Sequence, residues 1–289
     1  MRYYQLAAGD DGRLCVETGG DVYDLTSANR GIRGFGDLVS ASSISDVPID
    51  DVTDRLLGEL DPLDPDAVEG TDRPPVAADE VWAAGVTYSI SEQAREEEST
   101  MPDMYLNVYD SSRPEVFFKA TPSRVVGPND QVGIRSDSDW DVPEPELAVV
   151  LYQGEIVGYT IGNDMSSRSI EGENPLYLPQ AKVYDRCCSI GPCVRSADSI
   201  DDPHDLEMSM EISRDGRTLY EEATSTAEMV RTVPELVECY ARHNAVPEMS
   251  VLLTGTSLVP DDGFTLQEGD VVDIEIDDIG TLTNSVVEV

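Results

Sequence analysis

Short runs in which apolar and polar side chains alternate, or in which apolar residues follow one another unbroken, recur along the 289-residue chain. Such runs predict β-strands, half-buried where they alternate and buried on both faces where they are continuous. Tyr3–Ala8, Leu14–Glu17 and Val22–Leu25 read this way near the start. Farther on come Val81–Val86, Glu115–Lys119, Leu147–Leu151, Ile156–Ile161, Leu206–Ile212, Ser250–Thr254 and Val271–Ile276. Gly, Pro or Asp turns bound most of them, as at Gly127-Pro128-Asn129-Asp130 and Glu268-Gly269-Asp270. Helical spacing is confined to stretches such as Val52–Leu60, Ser91–Glu98 and Val233–Arg242. No repeat of fixed period is present.

From Glu59 to Glu80 neither period holds, and the chain reads as a stiff polar connector rich in Pro and Asp. This break predicts a small N-terminal α+β domain over 1–70 and a larger domain over 71–289. The larger one is expected to be a mixed-sheet β-roll, giving a fold class that is mostly β with α+β elements.

Composition narrows the function. The chain holds 58 acidic and 19 basic residues, a formal charge of −39, with 40% apolar residues. Nucleic-acid binding needs clustered cations to displace phosphate counterions, and this balance excludes it. The acids are spread between apolar runs and not gathered in a tail, which indicates a folded protein with an acidic surface. Lys119 and Lys182 are the only lysines, and every other basic residue is arginine. Excess acid with almost no lysine is the pattern expected in a high-salt cell, where ions screen the self-repulsion. A lysine that survives such depletion is a suspect for chemistry that arginine cannot supply. The five cysteines lack paired Cys-x-x-Cys spacing and read as reduced core thiols. No secretory or membrane-spanning pattern is present, so a cytoplasmic protein with no membrane partner is expected.

Glu144 and Glu146 stand two residues apart at the head of the run Leu147–Leu151, so both side chains point to one face of a strand. Two such carboxylates can share a hard cation. Glu171 and Glu173 repeat the spacing by chance in so acidic a chain. Asp164 follows the run Ile156–Ile161 directly and can either complete an oxygen triad or cap the next turn.

Taken in order, these segments resemble a known family. Glu144-Pro-Glu146-Leu-Ala-Val-Val, Gly158-Tyr-Thr-Ile-Gly-Asn163-Asp164-Met-Ser-Ser-Arg168, Ala181-Lys182, Gly191-Pro192, Thr254-Gly255-Thr256 and Gly269-Asp270-Val-Val follow the fumarylacetoacetate hydrolase superfamily from about Val81 to Val289. The resemblance implies a β-roll core of that type and a homodimer or homotetramer. It also implies a divalent cation, Mg²⁺ first with Ca²⁺ or Mn²⁺ as alternatives, held by Glu144, Glu146 and Asp164.

One departure from the pattern carries information. Hydrolases of the family place a His and, three residues on, a Glu after a Gly-x-Asn-Tyr stretch; here Ser91 and Ala94 hold those places. His204 and His243 lie far downstream, so water activation by a nearby imidazole is not expected. Arg113–Thr121 and Asn174–Lys182 resemble instead the branch that dehydrates 2-keto-3-deoxy pentonic acids on the way to 2,5-dioxopentanoate. That likeness implies Glu115 and Lys182 as the acid/base pair, the Lys182 pKa being lowered by the cation and by burial. It implies Thr256 and Arg168, with Lys182, as substrate-binding groups, and Lys119 as support at the site's edge. The expected partner is a small 2-oxo sugar acid from pentose breakdown. Acylpyruvate hydrolysis or oxaloacetate decarboxylation on the same site is the alternative chemistry, and a non-catalytic 2-oxo acid binding protein is the alternative class.

Overall fold

The computed structural model describes residues 1–8, 11–58, 60–88, 113–260 and 263–289. The expected helix Ser91–Glu98, with Ser91 and Ala94, lies outside them. In chain order the strands are β1 (Arg2–Ala8), β2 (Asp11–Thr18), β3 (Asp21–Asp24), β4 (Glu80–Gly85), β5 (Glu115–Ala120) and β6 (Val125–Val126). Then come β7 (Gln131–Ile134), β8 (Asp141–Val142), β9 (Pro145–Tyr152), β10 (Glu155–Asp164), β11 (Ser166–Ser167) and β12 (Cys188–Ser196). The last are β13 (Glu207–Arg214), β14 (Arg217–Ser225), β15 (Met249–Leu253), β16 (Val271–Ile276) and β17 (Gly280–Glu288).

Two sheets make the body. The larger runs β3-β2-β1-β12-β10-β9-β15-β4-β5, with β6 beside β12. The smaller runs β14-β13-β16-β17-β7, and β8 pairs with β11 alone. Central strands of the large sheet are continuous apolar runs because both faces are covered: β15 and all of β9 up to Tyr152 are buried. In the smaller sheet Met208, Met210, Ile212, Val272, Ile274 and Ile276 are buried while their sequence neighbours are more open, the alternation of a sheet with one solvated face. The two layers come close enough that a Cβ on Gly191 of β12 would stand 2.7 Å from Pro128 and 3.1 Å from Leu282.

β1 joins the large sheet through Arg2–Arg195 and Tyr3–Val194, so the N-terminal strands extend it. Tyr3, Leu14, Leu25 and Phe35 belong to the same buried cluster as Leu147, Ile190 and Leu252. Among the elements not evident from pattern are a helix and a strand that shape the body. The helix Phe35–Ser45 is built on a Gly- and Ser-rich stretch, with Asp37 accepting from the Gly34 and Arg33 backbone N–H groups at its start. β12 runs through Gly191-Pro192, which reads locally as a turn; the register shifts opposite it, between Tyr159 and Ile161. A bulge accommodates a proline that cannot donate to the ladder. The helix expected at Val233–Arg242 spans Val233–Ala241, capped by Thr232 and Glu235. The one expected at Val52–Leu60 spans Ile49–Leu57. Among the described residues, no helix is long and apolar enough to cross a membrane. All five cysteines are free.

A buried three-carboxylate centre

The β9–β10 hairpin assembles the centre. Its antiparallel register sets Glu146 opposite Gly162 and Pro145 opposite Asn163. Asp164 N then donates to Glu144 O at 2.9 Å, and Glu144 N to Asn163 Oδ1 at 3.1 Å. The head of one strand and the end of the next thus deliver Glu144, Glu146 and Asp164 to one place. All three are buried, and each offers an oxygen within 4.8 Å of the others. Burial, with Asp164 and Glu144 alongside, pushes the Glu146 carboxyl well above its ordinary value. Three carboxylates withdrawn from water and crowded together form a hard oxygen site that favours a small multivalent cation.

Cations of the protein surround the triad. Lys182, at the end of the helix Leu178–Lys182, donates to Glu144 Oε2 at 2.7 Å, Asp164 Oδ2 at 3.2 Å and Ser166 Oγ at 2.6 Å. Its Nζ lies 5.7 Å from the Phe117 ring centre. Burial alone would lower the pKa of Lys182, but Asp164 and Glu144 outweigh it and raise it. Among bare carboxylates the ammonium is the favoured form. Lys119 is fully buried beside Asp164. Its Nζ lies 2.5 Å from Asp164 Oδ1 and donates to Met165 O at 2.8 Å and Lys182 O at 2.5 Å. The Arg168 guanidinium, buried on the helix Arg168–Glu173, lies 2.9 Å from Glu144 Oε1 and 3.9 Å from Glu171.

Glu115 starts β5, whose odd positions Glu115, Phe117 and Lys119 share one face by the period of two. The opposite face carries Phe118, packed edge-on against Trp82. Glu115 pairs with Gly85 of β4, and its carboxylate lies so close that a Cβ on Gly85 would stand 2.1 Å from Oε2. On the other side Gly255, at φ +86°, donates its N–H to Glu146 Oε2 at 2.5 Å. A Cβ there would meet Thr87 Oγ1 at 2.0 Å. The next residue, Thr256, is half-buried and accepts from Leu258 N at 3.0 Å. Between the two loops Val86 sits at φ +57°, unfavourable for a β-branched residue and a form of strain that collects at functional sites.

The structure therefore brings Lys182, Glu144, Glu146, Asp164 and Arg168 into contact, with Glu115 and Thr256 on elements bordering the centre. His204 Nε2 accepts from Val233 N, and His243 is exposed past the end of that helix. Two participants were not singled out from sequence. Ser166 bridges Lys182 and Asp164, accepting from the ammonium and donating to Asp164 O. Glu171, which had the look of a chance acid, is buried; its spacing of three from Arg168 on a helix was the available signal.

Comparison with known proteins agrees with this geometry. The model of the fumarylacetoacetate (FAA) hydrolase C-terminal domain matches residues 80–287. A protein of Haloferax volcanii described as a probable 2-keto-3-deoxyxylonate dehydratase is 62% identical over 289 residues, 100% of both chains. The 2-dehydro-3-deoxy-D-arabinonate dehydratase of Saccharolobus solfataricus is 43% identical over 217 residues, 73% of each. A solved structure of 2-keto-3-deoxy-D-arabinonate dehydratase complexed with magnesium and 2,5-dioxopentanoate superposes with a TM-score of 0.84 at 33% identity, covering 100% of this chain and 99% of that one. The chain belongs to the fumarylacetoacetate hydrolase family.

Proposed function

We propose that the protein is a divalent-metal-dependent hydro-lyase that converts 2-dehydro-3-deoxy-D-arabinonate or the corresponding xylonate to 2,5-dioxopentanoate and water in oxidative pentose degradation. The observation that carries this reading is the placement of the Lys182 ammonium 2.7 Å from Glu144 and 3.2 Å from Asp164, a proton carrier set at the carboxylate centre. The relatives' names and the magnesium-bearing neighbour support it.

Glu144, Glu146 and Asp164 would hold the cation, Mg²⁺ in the first instance. When bound, it supplies Lewis-acid polarisation of a 2-oxo acid and takes up carboxylate charge that otherwise keeps Lys182 protonated. Lys182 Nζ then removes the C3 proton, and Glu115 gives a proton to the C4 hydroxyl as it leaves as water. A second transfer takes the proton from C5 and returns one elsewhere, and tautomerisation yields the aldehyde. Thr256 holds a polar end of the substrate from the 254–256 loop. Arg168 does so by the charge it shares with Glu144. D-arabinonate and D-xylonate lead to the same 2-keto-3-deoxy acid, because once C2 is oxidised and C3 deoxygenated only the C4 centre survives, and the two sugars share its configuration.

As a whole we read the chain as a homo-oligomeric cytoplasmic protein of a high-salt cell, with 1–70 a small lobe on a catalytic unit. The acid excess, the lysine scarcity and a 62%-identical relative in Haloferax support this. The deciding assay supplies the purified protein with Mg²⁺ and 2-keto-3-deoxy-pentonate in molar KCl and reads aldehyde. Carbon dioxide released from oxaloacetate, with no aldehyde from the pentonate, would transfer the site to decarboxylation.

A further inference from the structure

Lys182 is carried by the five-residue helix Leu178–Lys182. Such a helix cannot keep its place by its own hydrogen bonds, since isolated helices shorter than about 12–15 residues are marginal in water. Pro179 and Gln180 are exposed, whereas Ala181 and Lys182 are buried. Arg135 donates to Gln180 O at 3.2 Å in an exposed contact. The last carbonyl of any helix lacks a partner inside it. Here that carbonyl, Lys182 O, accepts from Lys119 Nζ at 2.5 Å, across 63 positions of sequence. The same Nζ donates to Met165 O at 2.8 Å, one residue beyond Asp164. Lys119 is fully buried, so water does not compete for either bond.

We infer that Lys119 is a positioning residue for the acid/base pair: its ammonium clamps the end of the Lys182 helix to the chain that follows Asp164, and through β5 it ties Lys182 to Glu115. This rests on reading Lys182 and Glu115 as that pair. Glu115 and Lys119 stand on one face of β5, four residues or about 13 Å apart along the strand. Pairing with β4 keeps β5 extended and holds that span. One strand thus places the acid directly and the base through Lys119. A misplacement of about 1 Å in such a pair costs about 10² in rate. The two bonds also account for a lysine at 119 in a chain that uses arginine nearly everywhere else. An ammonium gathers its donors on one atom and meets Met165 O and Lys182 O from a single point, whereas a guanidinium spreads its donors over a planar fork.

The test compares the wild type with Lys119→Arg, which keeps the charge, and Lys119→Met, which removes it, in molar KCl with thermal melts to establish folding. Amide hydrogen exchange reads the helix, calorimetric titration reads Mg²⁺ affinity, and aldehyde formation gives kcat and KM. In each folded variant exchange over 178–183 should quicken by about tenfold or more while β13 and β16 stay protected. In Lys119→Arg kcat should fall by about 10² with KM and Mg²⁺ affinity retained, the mark of a misplaced group. Full turnover in Lys119→Arg would show that charge alone is needed and overturns the inference. Exchange over 178–183 no faster than in the wild type overturns it as well, and so does a loss of kcat that saturating Mg²⁺ restores. Should both variants fail to fold, Lys182→Arg decides, because Lys119 is then the one lysine left. In its nitrogen-labelled lysine spectrum the Lys119 ammonium protons are expected to be protected from water, and exchange as fast as in free lysine overturns the clamp. A wild type that forms no aldehyde sinks the dehydratase reading, while the exchange data still decide the clamp.

Discussion

At Lys182 burial and charge act in opposite directions. Desolvation disfavours the ammonium, Asp164 and Glu144 favour it, and the carboxylates prevail. Arginine in its place would keep the charge but remain protonated at every working pH. Lys182→Arg is therefore expected to preserve fold and Mg²⁺ binding while turnover falls by about 10² to 10⁴, the scale of a general acid or base. Weakened substrate affinity at near-normal turnover would instead mark a substrate-holding charge. At Asp141 desolvation prevails over the lowering influence of Ser138 and Arg135, and the carboxyl is pushed up to about 6 from its ordinary value of 3.8. The folded state thus binds this proton more tightly than the unfolded chain. The associated stability is complete below about pH 4 and is lost as pH rises through 6. Asp141→Asn should leave stability at pH 4 nearly unchanged and raise it by about 1–3 kcal/mol at pH 7, read from denaturant melts across pH. A gain independent of pH would mean that packing and not ionisation is responsible.

Among elements, the loops after β4 and β15 are matched to each other. Thr87 donates to Thr254 O, the Gly255 N–H reaches Glu146, and Gly255 can hold φ +86° only because it lacks a side chain. Gly255→Ala is expected to lower stability by about 1–3 kcal/mol, since the added methyl meets Thr87 Oγ1 as well as an unfavourable backbone angle. It should also weaken Mg²⁺ binding, because the donor to Glu146 is displaced. A thermal melt and a Mg²⁺ titration of the same sample check both, and an unchanged melt would show that the loop has room to shift. The Thr254-Gly255-Thr256 motif was recognisable in the sequence, yet its packing against the 85–88 turn was not, because that contact joins residues 167 positions apart.

For the whole molecule, a charge of −39 is a long-range property that no single pair offsets. At about 1 M salt the Debye length is about 3 Å, so most exposed repulsion is screened; at about 0.01 M it extends to about 30 Å. Folding is expected to require molar KCl, with the unfolding transition moving to lower temperature as salt is dialysed away and activity lost alongside. Circular dichroism melts over a salt series measure this. A melting temperature independent of salt would contradict the reading of the acid excess as an adaptation to high ionic strength.

The strands β9, β10, β13, β15 and β16 could be placed from the chain alone because their apolar periods are local and strong. The same holds for Glu144 and Glu146, whose spacing of two on a strand compels a common face, and for the suspicion attached to Lys119 and Lys182 in a lysine-poor chain. Pairing was out of reach. That β12 passes through Gly191-Pro192 and that β1 adds to its edge depend on register between strands, which local propensity does not encode; Asp164 was joined to Glu144 and Glu146 only through the family resemblance. The contacts of Lys119 and Lys182 and the burial of Glu171 were out of reach as well. A residue's type limits the chemistry it can perform, but its protonation and its contacts are set by neighbours that only the folded chain brings near.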